Sequence, residues 1–188
     1  EQINIKTRKS FFVLIGTILS SRTKDTTTAI VCNKLFKKIK NNNDLLKINL
    51  KELENLLYPV GFYKTKAKNL KKLAIILKEK YNEKVPQDLE ELITLPGVGR
   101  KTANLVLSVA FKKPAICVDT HVHRIMNRIG YLKTKNPLET EMNLREKLPK
   151  KLWNDTNYLF VILGQNICFP RNPNCKKCPI NKYCEKNI

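Results

Sequence analysis

The chain has 188 residues, enough for one large domain or two small ones. A hydrophobic content of 42% supports a folded core and excludes a disordered basic tail. The sequence holds 36 lysines and arginines against 16 acidic residues, and the resulting net charge of +20 favours a polyanionic partner such as nucleic acid. A lysine-rich coding bias would raise the charge in the same way, so the charge alone does not identify the partner.

The beginning of the chain imitates a signal peptide only superficially. A basic segment at 6–9 precedes an apolar run at 11–19, but the residues that follow at 20–25 offer no cleavage site. The apolar run is also too short to cross a membrane. We therefore expect a core helix at this position and, because the chain starts at Glu1 rather than Met, a native N-terminus further upstream.

Apolar residues recur at helical spacing along almost the whole chain. The pattern predicts a short amphipathic pair of helices at 45–57 and a longer helix around 70–77. That longer helix should carry Lys71, Lys72 and Lys78 on its solvent side. Further helices are predicted at 123–129, 138–148 and 153–167. Since no strand or tight hairpin signal is found, we predict an all-α fold.

A turn that contains two glycines separates another pair of predicted helices. A capping-box signal at Asp88 opens the first helix, and the second starts near Arg100. Between them lies the string LPGVGRKTA, in which Gly97 and Gly99 allow positive φ angles and close approach to another surface. A tightly packed helical corner is the alternative explanation for the glycines. The whole string favours a helix-hairpin-helix over about 88–111, whose backbone N–H groups suit a DNA phosphate.

Lys101 lies in the first turn of the second helix of this hairpin. The helix dipole disfavours a positive charge there, and partial burial would disfavour it further. A neutral amine at this position could act as a nucleophile. By residue type alone, however, Lys101 is one of many solvated cations in the chain.

Asp119 follows the short apolar run 115–118 in the string VDTHVHR. Its carboxylate could cap the next helix or act in catalysis, and both roles can hold at once. His121, His123 and Arg124 could contact phosphates, although histidines at such positions are more often structural hydrogen-bonding residues.

Four cysteines near the end of the chain have the spacing C-x6-C-x2-C-x5-C. They are Cys168, Cys175, Cys178 and Cys184. A zinc ribbon has two C-x2-C pairs, and ferredoxins use other spacings, but four thiolates in a compact loop suit a four-iron cluster. Zinc remains the alternative. Cys32 and Cys117 sit alone among apolar residues, so we expect that they bind no metal.

Together these motifs resemble the endonuclease III family of DNA glycosylases over nearly the whole chain. The strings LPGVGRKTANLVL and VDTHVHR and the cysteine tail occur in the order and spacing of that family. The resemblance implies a helical barrel domain at 1–113 with the hairpin, a helical domain at 114–188 with a [4Fe-4S] cluster, and a DNA-binding cleft flanked by both. It implies Lys101 as the nucleophile, Asp119 as the catalytic aspartate and the four cysteines as the cluster ligands.

The resemblance also implies a bifunctional DNA glycosylase and AP lyase of base excision repair. Such an enzyme excises oxidised pyrimidines from duplex DNA through a Schiff base and β-elimination. Adenine and mismatch thymine glycosylases of this fold lack a lysine at the position of Lys101 and cleave only the glycosidic bond. Such a monofunctional enzyme is one alternative, and a non-enzymatic iron–sulfur DNA-binding protein is the other. We expect a monomer that acts on double-stranded DNA with a damaged base or abasic site, in the cytoplasm with the nucleoid and without a membrane contact.

Residues expected to contact DNA come from several segments. The segment 20–25 resembles the motif that fills the hole left by a flipped base, with Arg22 where many members have Gln. Phe62 matches a wedge position that is often Leu, and Arg171 is the cation of the loop between the first two cysteines. The complete set of expected contacts is Arg22, Phe62, Gly97, Val98, Gly99, Arg100, His121, Arg124 and Arg171.

Overall fold

The computed structural model describes residues 10–187, which form helices joined by short loops. The α-helices in this part of the chain are α1 (Ser10–Ser20), α2 (Asp25–Lys38), α3 (Asn42–Lys47), α4 (Leu50–Leu57), α5 (Tyr63–Tyr81), α6 (Leu89–Ile93), α7 (Arg100–Phe111), α8 (Thr120–Arg128), α9 (Pro137–Lys147) and α10 (Trp153–Asn166). No strand occurs among residues 10–187, so the all-α prediction is confirmed. The basic segment 6–9 lies outside the described residues.

The chain divides into two units between Lys113 and Pro114. In the first unit, α1 packs against α2 and α7, and α5 packs against α3 and α4. The apolar run at 11–19 forms most of α1, with Leu14, Ile15 and Leu19 fully buried, which confirms a core helix. In the described range, no helix combines the length and the apolarity that a membrane crossing requires.

The helix α5 follows its predicted pattern except at Lys71. Lys72 and Lys78 are exposed as predicted, but the Lys71 ammonium turns towards the carboxyl end of α3. It donates hydrogen bonds to the carbonyl oxygens of Leu45 (2.9 Å), Leu46 (2.6 Å) and Ile48 (2.7 Å). Partial burial lowers the pKa of Lys71. The solvent-side assignment of this residue is therefore wrong, because a cation satisfies the last carbonyl groups of a helix.

The second unit has its own core around α8. The buried members of this core are Ile116, Val118, Val122, Met126, Leu132, Leu144 and Trp153. The helix α8 begins at Thr120 rather than at the predicted 123, because Asp119 caps it. The helices α9 and α10 lie close to their predicted bounds, and the Trp153 indole donates to the Leu148 carbonyl oxygen at 2.8 Å.

Cys32 and Cys117 are both buried, one in each unit. Burial raises the pKa of the Cys32 thiol to about 12, so this side chain remains a neutral thiol at physiological pH. That Cys32 and Cys117 bind no metal stays a prediction.

Candidate functional site

The two glycines of the turn between α6 and α7 have different environments. Gly97 has φ +81°, and a Cβ atom there would lie 3.2 Å from the Asn69 side-chain nitrogen. Gly99 has φ −94°, and a Cβ atom there would meet no atom within 4 Å. Positive φ explains the glycine at 97 but is the wrong explanation at 99. The space beside Gly99 is open, so a ligand can approach the backbone at this residue.

Gly99 is the N-cap residue of α7 and supplies no side chain to cap the helix. The amino termini of α6, α8 and α9 are each capped by a side-chain oxygen, from Asp88, Asp119 and Asn136. The first turn of α7 also holds no acidic residue. An open helix terminus with its positive dipole end is a suitable site for an anion such as a phosphate.

The side chains around the amino terminus of α7 differ in their exposure to solvent. The Val98 side chain is buried, so only its backbone can contact a ligand, and this contact stays a prediction. Arg100 is half-buried and lies 3.6 Å from the Glu90 carboxylate. Lys101 is exposed, so the partial burial considered for it is not found. This exposed side chain lies at the start of α7, and its role as the nucleophile stays a prediction.

Arg22 and Phe62 come from loops far apart in sequence but meet in the structure. The Arg22 guanidinium lies over the Phe62 ring, 5.5 Å from its centroid. Both side chains are exposed, Phe62 by 62%. Both residues have positive φ, 52° and 57°, which is uncommon for residues other than glycine. The two predicted insertion residues therefore form one exposed pair in the first unit.

In the second unit, Asp119 is the N-cap residue of α8. Its Oδ1 atom accepts hydrogen bonds from the backbone N–H groups of His121 and Val122, each at 2.9 Å. The carboxylate is half-buried at the end of the buried run 115–118. The capping role considered from the sequence is thus found, and it fixes the orientation of the carboxylate.

The cations and histidines of α8 mainly serve the interior of this unit. The Nδ1 atom of His123 lies 2.7 Å from the Thr140 hydroxyl, a structural contact. Arg124 donates to the carbonyl oxygens of Gly164 and Cys168, at 3.2 and 2.6 Å. His121 is half-buried and lies 3.2 Å from the same Arg124 nitrogen. The expected phosphate contacts of His121 and Arg124 stay predictions, and they compete with these internal bonds.

The four clustered cysteines line a single pocket in the second unit. Its walls are mostly apolar and include Ile125, Ile129, Leu163 and Ile167. Within residues 10–187, no group of three or more His, Cys, Asp or Glu side chains forms a ready-made metal site. The thiols thus share a pocket without the close grouping that coordination requires. Four sulfur donors in an apolar surround nevertheless match the ligand chemistry of an iron–sulfur cluster.

Arg128 holds the loop that follows the first of these cysteines. This buried guanidinium donates to the carbonyl oxygens of Phe169 (2.6 Å) and Pro170 (2.8 Å) and lies 3.5 Å from the Cys168 sulfur. The next residue, Arg171, is exposed. Arg128 thus fixes the backbone from which Arg171 projects.

Sequence reasoning missed Arg128 and a second internal cation, Lys66. No sequence signal predicts Arg128, because its partners are backbone carbonyl groups about forty positions away in the chain. A signal did exist for Lys66, which shares the buried face of α5 with Leu70, Leu73 and Leu77. A lysine at a core-facing position of an amphipathic helix indicates an internal hydrogen-bonding role.

Comparisons with known proteins agree on one superfamily. Residues 15–150 match the model of the HhH-GPD superfamily of base excision DNA repair proteins. The chain is 48% identical to endonuclease III of Thermotoga maritima over 97% of its own length and 85% of that protein.

Two solved structures resemble the fold of this chain to nearly the same degree. One is a trapped endonuclease III–DNA covalent intermediate, an estranged-adenine complex, with TM-score 0.89 and 40% identity over 95% of this chain and 84% of that one. The other is a thermostable thymine-DNA glycosylase, with TM-score 0.88 and 30% identity over 96% and 85% of the two chains. The fold alone therefore does not separate these two activities, and individual side chains must do so.

Substitutions at Gly97 and Gly99 are expected to affect different properties, stability at Gly97 and DNA binding at Gly99. Gly97→Ala should lower the free energy of unfolding by about 1–2 kcal/mol, because it forces positive φ on a residue with a Cβ atom. Gly99→Val should lower the free energy of unfolding by no more than about 1 kcal/mol, because valine is a poorer N-cap residue than glycine but the space around position 99 is open. Its binding to damaged and undamaged duplex DNA should nevertheless weaken alike, since the valine side chain would obstruct the approach of a phosphate, which both duplexes carry.

Thermal melts and duplex-binding titrations at several salt concentrations check both variants. A Gly99→Val protein that binds undamaged duplex normally but no longer discriminates a lesion would contradict a phosphate-binding turn.

Proposed function

We propose that this chain is a DNA glycosylase and AP lyase. It belongs to the endonuclease III family of the HhH-GPD superfamily of base excision DNA repair proteins. The observation that carries this proposal is Lys101, an exposed lysine in the first turn of the helix that follows the hairpin. An amine at this position supports covalent chemistry, whereas a glycosylase that uses only water does not need it. The preferred substrates we propose are oxidised pyrimidines in duplex DNA.

In the proposed reaction, the Lys101 amine attacks C1′ of the damaged nucleotide. The glycosidic bond breaks, and the base leaves with the bonding electron pair and takes up a proton. Loss of the second amine proton and opening of the sugar ring give a Schiff base between Lys101 and C1′. Removal of a proton from C2′ then expels the 3′ phosphate and nicks the strand. Covalent catalysis divides one difficult displacement into easier steps.

Asp119 is the proposed carboxylate partner of this reaction. It stabilises the positive charge that develops on the sugar or helps to move the proton. The two N–H groups that bond to Oδ1 hold the carboxylate in one orientation, so its capping role supports its chemical role. A carboxylate held in advance needs no reorganisation during the reaction.

The contacts to DNA that we propose fall into two kinds. The backbone of 97–99 and the open end of α7 hold a phosphate, with Arg100 and Arg171 as additional cations. Arg22 and Phe62 enter the base stack where the damaged nucleotide leaves it. A damaged base stacks and pairs less well, so it costs less to extrude, and selectivity begins at that step. The partner is duplex DNA with a damaged base or abasic site, bound by a monomer.

We also propose that Cys168, Cys175, Cys178 and Cys184 hold a [4Fe-4S] cluster. Their common pocket and their chemistry support this assignment. When bound, the cluster supplies four Fe–S bonds that cross-link the end of the chain. The chain's own part is to present the loop after Cys168 through Arg128, which fixes two of its carbonyl groups.

Borohydride trapping tests the proposed nucleophile. Wild-type protein with lesion DNA and borohydride should give a covalent complex that survives denaturation, because borohydride reduces an imine to a stable amine. Lys101→Gln should abolish both trapping and strand nicking but keep the affinity for duplex DNA, since one charge of 36 cations is removed. Lys72→Gln, which removes an exposed charge from α5, is the matched control and should trap normally.

Asp119→Asn completes this experiment, because Asn is as good an N-cap residue as Asp. The melting temperature should therefore be retained while base release slows by ~10²-fold or more, the effect expected for a positioned acid–base group. Asp119→Ala should lose the cap as well and be less stable by about 1 kcal/mol. Undiminished trapping by Lys101→Gln would place the nucleophile elsewhere and remove the basis for lyase activity.

The metal assignment predicts brown protein with broad absorption near ~400 nm and four iron atoms held by cysteine thiolates. Replacing any of the four clustered cysteines by Ala should lower the iron content. Cys32→Ala and Cys117→Ala are the controls and should retain the full iron content, because both thiols lie outside the pocket. Colourless protein that holds zinc after anaerobic purification would contradict the cluster.

A further inference from the structure

Lys66 lies beneath the exposed pair Arg22 and Phe62 and is not used by the proposed chemistry. It occupies the first turns of α5, and only 7% of its surface is accessible. Its ammonium donates to the Leu19 carbonyl oxygen at 2.8 Å and to the Ser21 carbonyl oxygen at 2.5 Å. A cation is removed from water only where such acceptors replace its hydration. Desolvation lowers the pKa of Lys66, in agreement with this environment.

Thr23 connects Lys66 to the second loop. Its hydroxyl oxygen accepts a hydrogen bond from the Lys66 ammonium at 3.2 Å and another from the backbone N–H of Gly61, also at 3.2 Å. Gly61 directly precedes Phe62, and Thr23 directly follows Arg22. The Lys66 ammonium and the Thr23 hydroxyl thus connect the residues that neighbour Arg22 and Phe62 in the chain.

The two loops also touch through their backbones at Gly61. A Cβ atom at this position would lie 2.5 Å from the carbonyl oxygen of Arg22. That distance is too short for any side chain, and the obstacle is backbone that cannot rotate away. Glycine at 61 is therefore required for the loops to approach each other as they do.

Positive φ at both Arg22 and Phe62 shows that neither loop is in its intrinsically preferred conformation. Such conformations persist only where the surrounding structure holds them. The contacts that hold these two loops converge on Lys66, Thr23 and Gly61. The resulting arrangement places the Arg22 guanidinium over the Phe62 ring.

We propose that Lys66 is a positioning residue that holds Arg22 and Phe62 together as one preformed wedge, which enters duplex DNA where the nucleotide leaves the stack. This assignment rests on the proposed function. It adds that the wedge is assembled before DNA binds and depends on a buried cation that itself touches no DNA. Preorganisation of this kind lowers the entropy cost of binding.

Lys66→Met tests this proposal, because it removes the ammonium and keeps most of the side-chain volume. It should slow base excision from a lesion duplex by ~10-fold or more under single-turnover conditions, since extrusion then proceeds without a preformed wedge. Borohydride trapping on a single-stranded oligonucleotide with an abasic site should stay within about twofold of the wild type, since no base has to be extruded there. Lys78→Met, an exposed position on the same helix, is the control and should match the wild type in both assays.

A fluorescence measurement reports the wedge directly. The base 2-aminopurine, placed opposite the lesion, brightens when it is unstacked. Wild-type protein and Lys78→Met should produce this signal, and Lys66→Met should lose it at protein concentrations that saturate the duplex. Gly61→Ala pushes the same loops apart without removing a charge. It should therefore also lose the fluorescence signal and excise bases more slowly from duplex DNA. If Lys66→Met does not fold, Gly61→Ala provides the test.

Several results would overturn the proposal. Normal excision and normal fluorescence in Lys66→Met, or in a folded Gly61→Ala if Lys66→Met does not fold, would show that the wedge does not need this support. An equal loss on duplex and single-stranded substrates would show a merely structural role. Absence of excision and trapping in the wild type would instead contradict the proposed function, and the fluorescence assay, which needs no turnover, would still test the wedge.

Discussion

Glycine at the N-cap of α7 leaves the positive end of this helix's dipole open to an anion. A side-chain oxygen caps the start of α3, α4, α6, α8 and α9, whereas α2, α5 and α10, like α7, begin without one. At α7 the open space around Gly99 lets another backbone come close. Under the proposed function, a phosphate bound there would bring the DNA next to Lys101, and binding and chemistry would share the start of one helix.

Lysine content is a poor guide to which lysines meet DNA. Lys66 and Lys71 both turn inward on α5, where each satisfies backbone carbonyl groups at the end of another segment. Arg128 does the same for the loop after Cys168. These cations shape the loops that present other residues. Some of the cations behind the net charge of +20 thus have structural roles, which the net charge alone does not show.

Local signals predicted most of the fold. The bounds of α7 and the cap at Asp88 follow from residues next to one another in the chain, because propensity, glycine and capping act over a few positions. The same is true of the cap at Asp119, whose Oδ1 atom accepts hydrogen bonds from the nearby N–H groups of His121 and Val122. Partners distant in sequence could not be predicted. Arg22 meets Phe62, and Lys71 meets the end of α3, only after the chain has folded.

The most direct test of the account is to map the covalent attachment site. Protein trapped on lesion DNA with borohydride would be digested with a protease and nuclease, and the peptide that carries the sugar remnant would be sequenced by mass spectrometry. We expect a single modified residue, Lys101, in the peptide from the start of α7. Modification of the buried Lys66, of any surface lysine other than Lys101 or of the terminal amine would contradict it.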